Sequence, residues 1–160
     1  MPDTERTGTR RATLYVRSDL PTPASKRRAA ITARLEQLVE TGAVDSVSIV
    51  EWNKHVPISG ERGAFERDRY NEFSEWARDA GVCLAPFFDT RECYSFRSGD
   101  CRTELVLPAL CLAVREDDRL RTVAPHASGT DTETIEDCIS RLAHAATGTT
   151  TRRTPLTTAD

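Results

Sequence analysis

Lysine is nearly missing from this chain. Only Lys26 and Lys54 are lysine among 22 basic residues, and the rest are arginine. That bias is the mark of a GC-rich genome and says little about mechanism. No apolar run approaches the roughly 18 residues that a membrane helix needs, and the opening MPDTERTGTRR is too polar for a signal peptide. A soluble, cytoplasmic protein with no membrane partner is expected. Net charge is only −3, so the chain as a whole has no electrostatic pull on nucleic acid.

Catalytic signatures are absent as well. There is no G-x-S-x-G, no glycine-rich phosphate loop and no H-E-x-x-H. The five cysteines (Cys83, Cys93, Cys101, Cys111 and Cys138) never form C-x-x-C, and in a reducing cytosol they are expected as free thiols. Their spacing fits no zinc ribbon or finger, and His55, His126 and His144 lie far apart in sequence. These readings predict a protein that is not an enzyme and holds neither cofactor nor metal.

What the chain does contain is a dense apolar run, Leu105 to Val114, broken only by Pro108. It reads as a strand buried on both faces, with the rest of the chain packed around it. The apolar fraction of 38% is low for a domain, but the polar excess collects at the ends. Residues 1–11 and 147–160 have no apolar period and are expected as disordered tails. That leaves one domain over residues 12–146, long enough to bury a core.

Ala12 to Arg17 alternates apolar and polar and predicts the first strand. After the break at Ser18–Pro23, Thr22 is placed to cap a helix beginning at Pro23, and Gly42 to end it. Ala43 to Trp52 predicts a second strand, with Val44, Val47 and Ile49 facing the core. A strand, a helix of this length and a strand make a β-α-β unit with parallel pairing. Asn53 to Arg62 reads as loop. A helix from about Gly63 to Ala80 follows, its stripe running through Phe65, Arg69, Phe73, Trp76 and Ala77.

Val82 to Phe88 predicts a short apolar strand, with Cys83 buried at its start. Two hairpins come next, one turning at Ser98-Gly99-Asp100 and one at Glu116-Asp117-Asp118. A last helix from about Ile135 to Ala146 is announced by Thr134 and Asp137, spaced as a capping box. The fold class expected is α/β: a single domain, a mixed sheet with a β-α-β-α start, antiparallel hairpins and a C-terminal helix, with helices on both faces.

Three groups of residues are candidates for function. The first helix carries Lys26, Arg27, Arg28 and Arg34 in its first half, against the macrodipole. The ordinary reading is a solvated face; the functional one is contact with phosphate or an acidic partner. Phe87 and Phe88 beside Arg91 are candidates for a ligand or partner surface. Cys93 and Cys101, flanking the first hairpin turn, are candidates for exposed redox thiols. Cys111 and Cys138 lie on core faces, where free cysteine acts as a small hydrophobe.

The order of elements resembles the thioredoxin-like fold. The match is carried by LYVRS, loop and helix at the start, and by LPALCLAV, turn, RLRTVAP and helix at the end. The first half is also similar to the circadian protein KaiB. The resemblance implies a cis Leu107–Pro108 bond and a redox loop after the first strand. Here that loop, Ser18 to Ser25, contains no cysteine, so a dithiol oxidoreductase is not expected.

Over about 125 residues the chain is also similar to an uncharacterised haloarchaeal family often labelled as containing a helix-turn-helix domain. The residues that carry it are Tyr15–Ser18, Trp52, Phe73–Ala77, Pro86–Phe88, Leu107–Val114, Val123–Pro125 and Glu136–Cys138. The resemblance implies no catalytic residue. A DNA-reading helix-turn-helix needs two helices joined by a tight turn, and the expected order places a strand on each side of the first helix. The function expected is a non-catalytic cytoplasmic regulatory or interaction module, transcription-associated in its specific version, with an unknown protein or DNA as partner. The alternative is a thiol-based redox sensor using Cys93 and Cys101.

Overall fold

The computed structural model describes residues 8–94, 99 and 101–145. Its centre is a four-stranded mixed sheet built from β1 (Arg10–Arg17), β2 (Ser46–Trp52), β6 (Leu110–Glu116) and β7 (Arg119–Ala124), in the order β2-β1-β6-β7. β1 and β2 are parallel, while β6 is antiparallel to both β1 and β7. The helix α1 (Thr22–Thr41) makes the crossover between the two parallel strands. β1 starts at Arg10, two residues ahead of the apolar alternation, where the Asp117 N–H donates to the Thr9 carbonyl and the Thr9 N–H to Asp117 Oδ1 across the neighbouring turn.

β1 and β6 run through the middle and are buried on both faces. Ala12, Leu14, Val16, Leu110, Leu112 and Val114 face one side. There they meet Ile31, Leu35 and Leu38 of α1, and Ile135, Ile139 and Leu142 of α3 (residues 135–145). Tyr15, Cys111, Ala113 and Val123 face the other side, against Phe73 and Ala77 of α2 (Ala64–Ala80). One α/β unit with helices on both faces is therefore what folds; the apolar run is split at Pro108, Leu110 to Val114 supplying the central strand while Leu105 and Val106 end β5 (Cys101–Val106) in a second sheet.

Local signals act as their chemistry dictates. Gly42 ends α1 and Gly81 ends α2, both in the left-handed conformation. Thr134 and Asp137 cap α3 reciprocally: the Asp137 N–H donates to Thr134 Oγ1 at 3.0 Å, and the Thr134 N–H to Asp137 Oδ2 at 3.1 Å. α1 differs from expectation by one residue: Pro21 is the N-cap, Thr22 is already helical, and no side chain caps it. Asp117 and Asp118 form the two-residue turn between β6 and β7, both with positive φ.

Several expectations are corrected. Val82 to Phe88 is not a strand, because Leu84 O accepts from both Phe87 N and Phe88 N and turns the chain back. Only Cys83 pairs there, with Ala127, and its side chain is exposed rather than buried. The cis bonds are Ala85–Pro86 and Ala124–Pro125, and Leu107–Pro108 is not among them. Short strands also appear where loop was expected. β3 (His55–Pro57) joins β5 (Cys101–Val106), which pairs with β4 (Asp89–Tyr94). β8 (His126–Ser128) pairs with β9 (Asp131–Glu133).

Candidate functional surfaces

α1 and α3 lie side by side, and their contact takes up half of the basic cluster. Arg27 donates from Nε and Nη2 to the two carboxylate oxygens of Glu136, at 2.8 and 2.9 Å. The hydrogen bond to Glu136 holds the Arg27 guanidinium above its ordinary pKa, and the same bond holds the Glu136 carboxyl below its own. Both side chains are well solvated, so the pair is worth at most about 1 kcal/mol. Arg34 donates to Ser140 Oγ at 2.8 Å. Arg27 and Arg34 are thus cross-helix pins, which leaves Lys26 exposed and Arg28 half-buried to meet a partner.

A second feature lies at the carboxyl ends of β1 and β2, where open α/β sheets commonly take ligands. A cleft of about 390 Å³ is lined there by Ser18, Asp19, Asn53, Lys54, His55 and Arg62. Its floor is built by long-range polar contacts. Glu66, 5% exposed, accepts at Oε2 from the Asn53 backbone N–H at 3.1 Å and from Asn53 Nδ2 at 3.0 Å. Arg67 holds the rim, donating to the carbonyls of Pro57, Gly60 and Arg62. Arg17 Nε donates to Leu107 O at 3.0 Å; burial pulls this guanidinium below its ordinary pKa, and Asp19 opposes the shift. His55 Nδ1 lies 2.7 Å from Glu104 Oε1. The loop Ser18 to Ser25 borders this cleft without a thiol, so the site offers polar binding groups rather than exchange chemistry.

The aromatic candidates separate. Phe88 is 2% exposed and packs against Trp52, Tyr70 and Phe73, with ring centroids 5.7–6.0 Å apart. It is core, not surface, because the turn at Leu84 swings it inward. Phe87 is half-buried and Arg91 exposed, so the three residues form no common surface. Phe65 leaves the expected stripe and is 44% exposed, lying under the Arg69 guanidinium at 5.6 Å. Glu66 takes the buried place that the helical period gave to an apolar residue.

The cysteines also divide. Burial pushes the Cys138 thiol up to about 12 and the Cys111 thiol well above its ordinary value. Maleimide labelling of the native protein, mapped by mass spectrometry, is expected to modify Cys83 and to spare Cys111 and Cys138 until the chain unfolds. Rapid labelling of either buried thiol under native conditions would contradict this packing. The backbone register sets Cys93 opposite Arg102 and Cys101 opposite Tyr94; the side chains of Cys93 and Cys101 lie outside the described residues. Among the described residues, no group of three or more His, Cys, Asp or Glu side chains is placed to hold a metal ion. Among the described residues, no helix is long and apolar enough to cross a membrane.

Sequence reasoning missed the cleft. Asn53, Lys54 and His55 read as loop, and nothing in the sequence singles out Glu66, because the contacts that order them come from other elements. A family model described as a helix-turn-helix domain matches residues 4–147. No curated protein and no solved structure is significantly similar to the chain. Among the described residues no two helices are consecutive in the chain: β2 and β3 separate α1 from α2, and β4 to β9 separate α2 from α3. The parallel pairing of β1 with β2 makes α1 a crossover helix, not half of a two-helix reading unit.

Proposed function

We propose that this chain, which belongs to the helix-turn-helix domain family, is a non-catalytic regulatory module of the cytoplasm, associated with transcription, that works by binding. The order and directions of β1, β2, β6 and β7, with α1 and α3 on one face and α2 on the other, support a thioredoxin-like scaffold for that role. The scaffold carries polar groups where thioredoxins carry a dithiol.

The observation behind the nucleic-acid reading is the exposed start of α1, where Lys26 and Arg28 are left clear of the α3 pairs. With no recognition helix among the described residues, contact is to phosphate and is insensitive to sequence. Fluorescence anisotropy with a mixed-sequence duplex at low salt tests this. Weak binding is expected, and Lys26→Glu should weaken it on every sequence and flatten the salt dependence by a slope of about 1. Absence of binding at low salt, or a Lys26→Glu variant that binds as tightly as the natural chain, would rule out the DNA version. The regulatory role would then rest on a protein partner.

A further inference from the structure

The two edges of the main sheet are treated differently. At β7 the edge is protected. Trp76 Nε1 donates to the Arg121 carbonyl at 2.9 Å, the register shifts between Val114 and Arg115, and Arg119 and Arg121 add charge. These are the usual devices against strand-to-strand association. Among the described residues β2, at the opposite edge, has no register shift and no side chain bonded to its open edge. Its sequence, SVSIVEW, is rich in residues that favour strands, carries Glu51 as its single charge and contains no proline. Among the described residues it pairs only with β1.

The open edge is self-complementary. The Trp52 carbonyl accepts from Ser18 N, on the β1 side. Alternation along the strand therefore turns the backbone N–H and C=O of Val47, Ile49 and Glu51 outward. Those three are symmetric about Ile49. Antiparallel pairing of β2 with β2 of another copy, centred on Ile49, satisfies all three at once. Ile49 is 39% exposed, an unusual state for isoleucine in a strand, and its partner in β1 is the fully buried Leu14.

The helix above this edge shows the same symmetry. A groove of about 350 Å³ joins Ile49 to Arg28, Ala29, Thr32, Ala33 and Glu36 of α1. Arg28 and Glu36 lie one turn before and one turn after Thr32, on the same face. Neither has an ion-pair partner among the described residues. A two-fold axis through the Ile49 pair makes the two α1 helices antiparallel and brings Arg28 of each copy to Glu36 of the other. Ala29 and Ala33 leave room for the close approach.

From the unprotected edge, the outward triad and the paired charges, we infer that β2 and α1 form a docking surface for a second copy of this chain, giving an isologous dimer with one continuous eight-stranded sheet. This goes beyond the regulatory reading and stands without it. The dimer commits Arg28 to Glu36 and leaves Lys26 for phosphate.

Sedimentation velocity over a wide concentration range, at moderate salt, tests the dimer apart from any DNA measurement. The natural chain is expected to dimerise. Ile49→Lys should raise the dimer dissociation constant by about a hundredfold, since two ammonium groups then meet at the axis in place of two isoleucines. Arg28→Glu and Glu36→Arg should each weaken association by about fivefold, and the double variant should restore it. Far-UV circular dichroism checks that each variant folds, and Glu36→Arg, at an exposed position, serves if Ile49→Lys does not. A natural chain that stays monomeric overturns the proposal, as does a dimer indifferent to Ile49→Lys. Failure of the double variant to recover association overturns the antiparallel helix register.

Discussion

Replacing Phe88 by alanine is expected to destabilise the protein by about 3–5 kcal/mol, the range for removing a fully buried aromatic. Phe88 is the junction of the cluster between the sheet and α2. Its ring meets Trp52 edge-on at 5.9 Å and Phe73 at 6.0 Å, and lies tilted against Tyr70 at 5.7 Å. Trp52 in turn stacks on Tyr15 at 4.8 Å and donates from Nε1 to Pro108 O at 3.2 Å. Little can move into the space, because Trp52 and Phe73 are anchored on separate elements. Urea denaturation is the direct measurement: the midpoint should fall at unchanged slope. Phe87→Ala, at the half-buried neighbour, should cost less, about 1–2 kcal/mol. Equal losses at the two positions would mean that both rings belong to the core, and a small loss at Phe88 would mean that the turn at Leu84 does not place it inward.

The second large effect is expected at Gly63. It has φ +79°, and a Cβ added there would sit 2.5 Å from Val56 Cβ. Val56 is buried in β3 beneath the aromatic cluster and cannot give way freely. The left-handed conformation costs an alanine about 1–2 kcal/mol, and pushing Val56 aside adds about 1–3 kcal/mol. Gly63→Ala should therefore cost about 2–5 kcal/mol. Gly42→Ala is the control, since φ there is +84° but a Cβ meets open space; only the conformational cost, about 1–2 kcal/mol, should appear. If the two variants unfold at the same urea concentration, the contact with Val56 is not tight. Gly63 also opens α2 and lines the polar cleft, so its variant is the one expected to disturb the cleft.

These two residues show how far the sequence reaches. Phe87-Phe88 announced itself as a pair of aromatics, yet which ring is buried depends on a turn at Leu84 inside a segment whose apolar run reads as a strand. Gly63 read as a helix boundary; that it must be glycine follows only from Val56 standing against it. The basic cluster on α1 is the same kind of case. Lys26, Arg27, Arg28 and Arg34 form one group by composition, and the packing of α3 splits it, through residues more than a hundred positions away. Arg27 and Arg34 become internal partners, and the charge left for outside contact is halved.

The sequence by itself determined the elements whose signals are local. The β-α-β start follows from alternation, helical period and Gly42. The capping box at Thr134 and Asp137 follows from side chains that satisfy neighbouring backbone groups, and the turn at Asp117-Asp118 from residues that accept positive φ between two alternating runs. The central strand from Leu110 follows from an apolar run dense enough to need burial on both faces. Only the tertiary structure decided what depends on neighbours distant in the chain. It made β2 an edge, so that Ile49, apolar and in phase with the core, stands exposed. It buried Glu66 by giving its carboxylate the two donors of Asn53, which a helical period cannot foresee. It also paired β3, β8 and β9, each three residues long. Period and propensity act over a few residues; the partners that decide burial at an edge are brought together only by the folded chain.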